Sequence, residues 1–389
     1  VTMLRGRTPL GWLQLTHSKS RFIVASAGVG FAVLLVFMQL GFMNMLFDST
    51  TVIHQQFKTD LVIMSADAEG IVPDSGDFSR RRLIQAAGVR GVIDWAEIYI
   101  GTLTWTKPSD GTVGQVVVIG VPTDVRVFTN PALDAQIPLL RTSGTMLIDE
   151  GSRGDYSAFF GRIAAGEQPK VKLAGETVSA IGTFNFGASF GTEAYGVVSR
   201  ETFLQLDRSR HPGVINMGLL TVEPGRDLNV MADTITKAVG AAEVKVWTMP
   251  NFKEVTRDFL RINSPIATIF TFGVIVGLFV GAVIVVQILT SDVQDHLGEY
   301  ATFKAMGFRN SYLLAIVYEQ SAILTVFGFL PALLLSFLLY RVVGQAVAMD
   351  MIMTWSRVMW VFLQTVGMCL TAGTIAMQRI YSADPAEVF

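Results

Sequence analysis

The 389-residue chain has one cysteine, Cys369, inside an apolar segment, which excludes an intrachain disulfide framework and a cysteine-based zinc site. Histidine is equally sparse: His17, His54, His211 and His296 are scattered and offer no metal-ligand spacing. Charge is scarce too, at 16% of residues where soluble domains average about a quarter. The net charge is −2 and no basic stripe runs through the chain, so nucleic acid has no electrostatic case as a partner. A Gly-x-Ser-x-Gly elbow, a His-Glu-x-x-His pair and a P-loop are all missing. These absences predict a non-catalytic chain with no cofactor and no metal. Asp149 with Glu150, and Asp94 with Glu97, read as acidic pairs on solvated faces.

What the chain does have is long apolar runs, with 51% hydrophobic residues. No charged residue lies between Arg21 and Asp48, Arg261 and Asp292, Glu319 and Arg341, or Arg357 and Arg379. Each run can cross a hydrocarbon core of about 30 Å as a helix. They predict spans over 22–47, 264–290, 311–340 and 358–378, with Pro331 inside the third. The first run is far longer than the apolar core of a secretory signal, and no small-x-small site follows it cleanly, so it reads as a retained span. Arg5, Arg7, Lys19 and Arg21 precede it, whereas Asp48, Asp60 and Asp67 follow it against Lys58. By the positive-inside rule the N-terminus is cytoplasmic, and an even number of spans returns the C-terminus to the same side. Lys253, Arg257 and Arg261 before the second span run against that rule, but the first helix usually sets the orientation. Residues 1–21 become a cytoplasmic amphipathic segment, 341–357 a short outer loop and 379–389 a cytoplasmic tail.

Residues 48–261 form the outer domain and read as mixed α/β. β-rich runs at 60–64, 98–105, 115–121, 145–148, 178–184, 195–198 and 218–222 are separated by turn signals such as Pro108-Ser-Asp-Gly111 and Glu223-Pro-Gly225. Helical patterns fit 79–87, 200–206 and 228–239. The β-rich, glycine-rich stretch of about 126–199 reads as a lobe inserted into a larger one, and 185–191 as a glycine-rich hairpin tip or partner loop. Residues 251–263 are amphipathic, with Phe252, Val255, Phe259 and Ile262 on one face. They predict a stalk helix that either closes the domain or continues into the second span as a stiff lever.

In the second span, Gly273, Gly277 and Gly281 recur at every fourth position and mark a close helix–helix contact, within the chain or with a second copy. The loop 291–310 joins the second and third spans. Its pattern predicts a short helix from Glu299 to Met306, stopped by Gly307. Tyr300, Phe303, Met306 and Phe308 read as an apolar face seeking a protein or lipid partner. Glu319, early in the third span, and Gln39 and Gln287, in the first and second, are intramembrane polar groups expected to hydrogen-bond between helices.

Several of these segments carry a family resemblance. The Glu299-x-x-x-x-Lys-Ala-Met-Gly307 stretch, the Tyr318-Glu-Gln-Ser-Ala322 start of the third span and the terminal Ser382-Ala-Asp-Pro-Ala-Glu-Val-Phe389 resemble FtsX/MacB-type permeases of ATP-binding cassette systems, the type VII ABC transporters. Leu13-Gln-Leu-Thr-His17, Phe37-Met-Gln-Leu-Gly-Phe42 and Leu46-Phe-Asp48 are similar to the DevC-like branch. Gly298-Glu-Tyr departs from the Glu-Ile-Gly common in the wider family. The resemblance implies an α-helical membrane protein with a one-plus-three arrangement of transmembrane helices and a MacB-like, two-lobed α/β periplasmic domain, sitting in a bacterial inner membrane. It makes Glu299, Tyr300, Phe303, Lys304, Ala305, Met306, Gly307 and Phe308 an ATPase-coupling helix, and Asp384, Pro385 and Glu387 a C-terminal signature. Implied partners are a cytoplasmic ATPase that binds the ATP, a second copy in a homodimer, a DevB-like membrane-fusion adaptor and, indirectly, an outer-membrane channel. The expected function is mechanotransmission that drives export. An FtsX-like regulator of cell-wall hydrolases and LolC/E-like lipoprotein release share the same fold.

Overall fold

The computed structural model describes residues 10–71, 75–187, 192–347, 349 and 351–381. It divides into a unit of membrane-length helices and a unit built on Leu46–Ser264.

Among the described residues, four helices are long and apolar enough to cross a membrane: Lys19–Thr50, Pro265–Asp295, Asn310–Val347 and Trp355–Gln378. Short helices Leu10–His17 and Leu297–Ala305 stand before the first span and between the second and third. Phe272, Phe279, Leu334 and Trp355 point outward and are exposed, as side chains solvated by lipid would be. The inward faces bury Val29, Phe37, Val285, Leu289, Val317, Leu324 and the free thiol of Cys369. At one end of the bundle the Tyr340 hydroxyl donates to the Phe37 carbonyl, and the Arg357 guanidinium lies over the Tyr340 ring. Gly41 makes that contact possible, because a Cβ there would sit 2.6 Å from the ring.

The second unit is built on strands β1 (Leu61–Ser65), β2 (Phe78–Ser79), β3 (Val92–Thr106), β4 (Val113–Val121), β5 (Thr145–Asp149), β6 (Lys170–Leu173), β7 (Glu176–Phe184), β8 (Ala194–Ser199), β9 (Val214–Ile215), β10 (Met217–Val222) and β11 (Val244–Thr248). Nine of them form one sheet in the order β11-β1-β10-β3-β4-β8-β5-β7-β6, with β4–β8 and β5–β7 parallel. Residues of β1 are buried on both faces and alternate between two cores: Leu61 and Ile63 in one, Val62 and Met64 in the other. Helices Arg80–Ala87, Arg200–Leu206 and Leu228–Val239 bring Leu83, Phe203 and Ile235 to the first core. The second takes Ile53, Leu133, Leu140 and Phe252. Helix starts follow from capping: Ser199 accepts from Thr202 N–H, Asp227 from Asn229 and Val230, and Thr248 from Asn251.

Two expectations change, and one open alternative narrows. The strands within 126–199 do not stand apart, because β8 pairs along β4 and β6 returns to β3 at Trp105–Leu173. The β-rich lobe therefore includes the β3–β4 hairpin. Each acidic pair is split, with Asp94 and Glu150 exposed as expected but Glu97 and Asp149 buried. Glu97 is 2% exposed between Arg80 and Arg200, and Asp149 is 1% exposed, accepting from Gly151 and Phe186 N–H at 3.0 and 2.9 Å. Both carboxylates are tolerated because charged or N–H donors replace their water. The stalk helix, Met249–Asn263, stops short of the second span: Ser264 is extended (ψ 120°) and a new helix begins at Pro265. Proline disfavours a helical conformation at the residue before it, which accounts for the break between the two helices. Residues 188–191 of the 185–191 tip lie outside the described residues.

The stalk helix is fastened to the segment that follows the first span. Arg257 pairs with Asp48, and His54 Nε2 lies 3.2 Å from Thr256 Oγ1. The buried His54 ring packs on Phe252 with centroids 5.1 Å apart.

Candidate functional site

Helix Leu297–Ala305 is closed by a glycine C-terminal motif. Gly307 takes φ +87° and donates to Lys304 O, while Phe308 N–H reaches back to Phe303 O at 3.1 Å. The hydrophobic contact that accompanies this motif is present, with Phe303 and Phe308 centroids 5.7 Å apart and Tyr312 against both.

The expected single apolar face of this helix is split. Tyr300 is 1% exposed and points inward, Phe303 is half-buried, and Met306 and Phe308 are 60% and 40% exposed. Residues three apart fall about 60° short of a full turn, so Tyr300 and Met306 diverge by about 120°. Lys304 and Ala305 are exposed beside Met306, giving an outward edge of mixed apolar and basic character.

Beneath the helix lies a polar cluster that periodicity did not reveal. Gln14, on helix Leu10–His17, donates from Nε2 to Glu299 Oε2 at 3.0 Å. Its Oε1 accepts from Tyr300 OH at 3.4 Å and from Gln320 Nε2 at 3.2 Å. Gln320, fully buried in the third span, also donates to Asp292 Oδ2 at 2.6 Å. Arg21, at the start of the first span, pairs with Asp295 at the end of the second. Gly11 lets the N-terminal helix approach closely, since a Cβ there would lie 3.1 Å from Ile316 O. Burial raises the Tyr300 phenol above its usual range, and the nearby Asp292 and Glu299 carboxylates raise it further. The loop helix is thus held at its base by the N-terminal helix and the second and third spans.

The other expected residues are dispersed. Gly273 faces the Gln39 amide, Gly277 faces Leu35 and Val36, and Gly281 faces Ala32 and Met368, so the stripe packs on the first and fourth spans of the same chain. Gln287 is exposed, and Glu319 is half-buried beside Gly11. Among the described residues, none of Gln39, Gln287 and Glu319 makes the interhelical hydrogen bond expected of it. Gln320, next to Glu319, does so instead. Asp384, Pro385 and Glu387 lie outside the described residues. Among the described residues no cluster of His, Cys, Asp or Glu has the geometry to hold a metal.

One span, an α/β domain, three further spans and a helical loop between the second and third define a multi-pass membrane protein with a single large extramembrane domain. Residues 271–385, which cover that loop and most of the last three spans, match the family described as FtsX-like permease C-terminal. No curated protein matches it. Among solved structures it is similar to the extracellular domain of the noncanonic ABC-type transporter YknZ from Gram-positive bacteria, at 15% identity and TM-score 0.32, over 49% of this chain and 100% of that one. It is also similar to the periplasmic region of MacB from Actinobacillus actinomycetemcomitans, at 9% identity and TM-score 0.34, over 52% of this chain and 94% of that one.

Replacing Gln14 by leucine is expected to leave the buried Tyr300 hydroxyl without its acceptor and Gln320 with one partner fewer. The cost is roughly 1–3 kcal/mol. It should appear as a lower thermal midpoint of the purified full-length protein, with the outer-domain strands keeping their hydrogen-exchange protection. A wild-type midpoint would show that the cluster does not secure the helix.

Proposed function

We propose that the chain is the permease subunit of an ABC exporter and transmits the motion of a separate cytoplasmic ATPase to its outer domain. The carrying observation is the two-sided loop helix: Tyr300 is tied inward to Gln14, while Met306 and Phe308 stay exposed. Such a helix receives a partner on its outer edge and passes displacement to the elements that grip its base. A nucleotide-dependent ATPase dimer moves the permease only if it binds one arrangement of these helices better than the other. In this reading the ATPase holds the ATP, and this chain is a non-catalytic element with no cofactor.

The domain and span boundaries read from the sequence belong to the same proposal, with both termini cytoplasmic and the large domain in the periplasm of a bacterial inner-membrane protein. Two copies form the working dimer. The DevC-like features favour a DevB-like adaptor on the periplasmic domain and an outer-membrane channel beyond it, so that cargo is driven outward from the periplasm.

Met306→Arg tests the docking edge, because it places a charge on an exposed apolar position without touching the buried cluster. Expulsion of one buried methionine contributes about 1.5–3 kcal/mol, so association with the ATPase should weaken by roughly tenfold or more. Co-purification with the products of neighbouring genes, together with ATP hydrolysis rates, reads this out. An ATPase and adaptor that co-purify with wild type and are lost with Met306→Arg support the proposal. A cell-wall hydrolase in place of the adaptor points to an FtsX-like regulator, and a lipoprotein to LolC/E-like release. Absence of any ATPase overturns all three.

A further inference from the structure

A groove of about 510 Å3 opens on the outer domain between Lys58, residues 123–129 and residues 131–141. Its floor is apolar: Phe128 and Ile137 are buried in the core beneath it, and Pro138 lines its side. The wall is held in shape by local chemistry, with Asn130 capping the turn through Ala132 N–H at 2.9 Å and prolines fixing residues 131 and 138. Lys58, Arg126 and Arg141 stand on its rim, all exposed.

Ion pairing in this domain is selective, and Arg81, Arg90, Lys170 and Lys172, like the rim cations, have none among the described residues. Arg80 and Arg200 pair with Glu97, Arg82 with Glu243, Arg208 with Glu176, Arg210 with Asp77, and Arg226 with Glu223. Lys58, Arg126 and Arg141 form no ion pair among the described residues, although two carboxylates line the same groove. Asp134 Oδ1 accepts from Phe128 N–H at 3.1 Å, and its carboxylate offsets one of the three cations. Asp124 is exposed and leaves the rim with net positive charge. A preformed concavity of this size, apolar at its base with a few convergent charges, has the character of a small-ligand site.

The geometry points to a binding site for a small anionic amphiphile. Its phosphate or carboxylate head lies among Lys58, Arg126 and Arg141, and its apolar body rests against Val125, Pro131 and Pro138. The site is separate from the loop helix and does not depend on how that helix is coupled. Guanidinium forks suit such heads because they donate paired, charge-assisted hydrogen bonds.

The test uses the full-length protein in phosphatidylcholine nanodiscs, titrated calorimetrically with hexyl phosphate, hexyl glucoside and inorganic phosphate. Hexyl phosphate is expected to bind roughly tenfold or more tightly than either of the others, since it alone satisfies both rim and floor. The double variant Arg126→Gln, Arg141→Gln should weaken it by roughly tenfold or more at an unchanged thermal midpoint. Ala135→Trp fills the exposed side of the groove without altering charge, and should produce a similar loss. Binding of hexyl phosphate no tighter than inorganic phosphate, or undisturbed by Ala135→Trp, overturns the proposal in favour of diffuse surface charge. Nanodiscs containing phosphatidylglycerol separate the sources of the head group: competition by them identifies a membrane lipid, and its absence a soluble amphiphile.

Discussion

Gly281→Leu is expected to dismantle the packing of the membrane half. A Cβ at this position would lie 2.6 Å from Ala32 Cβ and 2.7 Å from Met368 Sδ. Ala32 has no rotamer through which to retreat, so the first and second spans must separate, and leucine adds three further carbons to the clash. Overpacking of well-filled cores costs about 1–3 kcal/mol and sometimes more, and separation also forfeits the close backbone approach on which helices in lipid rely. A loss of roughly 3 kcal/mol or more should reduce the yield of monodisperse protein and lower the thermal midpoint of what remains. The glycines provide their own scale. At Gly277 the nearest atoms to a new Cβ are 3.5 Å away, so Gly277→Ala should be nearly silent. At Gly273 the obstacle is the end of the Gln39 side chain, at 2.5 Å, which can swing aside. The expected order of damage for alanine is therefore 281, then 273, then 277. An inverted order would mean that the stripe packs on a second copy rather than on its own first span.

Acidification should loosen the outer domain through His54. Burial first, then the Lys253 charge, lowers its pKa from 6.5 to about 3, so the folded domain holds the imidazole neutral. A depressed histidine contributes stability that is fully present above the unfolded value near 6.5 and is lost as pH falls towards 3. The full shift is worth roughly 5 kcal/mol. Asp149 works in the opposite sense. Burial lifts it from 3.8 to about 6, so its stabilisation is fully present below 3.8 and disappears as pH rises through 6. The two slopes oppose each other in the window where both titrate. Hydrogen exchange of β1 and β11 in the full-length protein, corrected for intrinsic rates, should show protection falling between pH 7 and pH 4. The fall should steepen in Asp149→Asn and turn into a rise in His54→Phe, where only the Asp149 slope is left. A wild-type slope retained by His54→Phe would assign the acid sensitivity elsewhere.

The one-plus-three fold was legible because a charge-free run long enough to cross a bilayer favours a spanning helix over a soluble one, and because turn signals punctuate the strands between the spans. Helical spacing over 299–306 and the glycine after it also had a local signature, and a helix stands there as Leu297–Ala305. The inward direction of Tyr300 had none. It depends on Gln14, 286 positions away in the chain, and on Gln320 and Asp292, whose meeting is decided by how spans pack. Glu319 stands out as a charge within an apolar run, yet its neutral neighbour Gln320 holds the buried bonds. A residue that can both donate and accept is the cheaper one to bury. The burial of Glu97 and Asp149 is hidden for a related reason, since composition shows a carboxylate but not the guanidinium or backbone N–H groups that a fold brings to it.

Strand β3 has a mechanical consequence. Its first half pairs with β10 and its second half with β4, so one unbroken stretch of backbone belongs to both parts of the outer domain. Flexing one part against the other would bend this shared beam and peel rungs from a ladder on either side. A load applied at β10 is carried along a strand, the stiffest direction a sheet possesses, rather than being absorbed in a hinge. The outer domain is therefore built to be displaced as a plate.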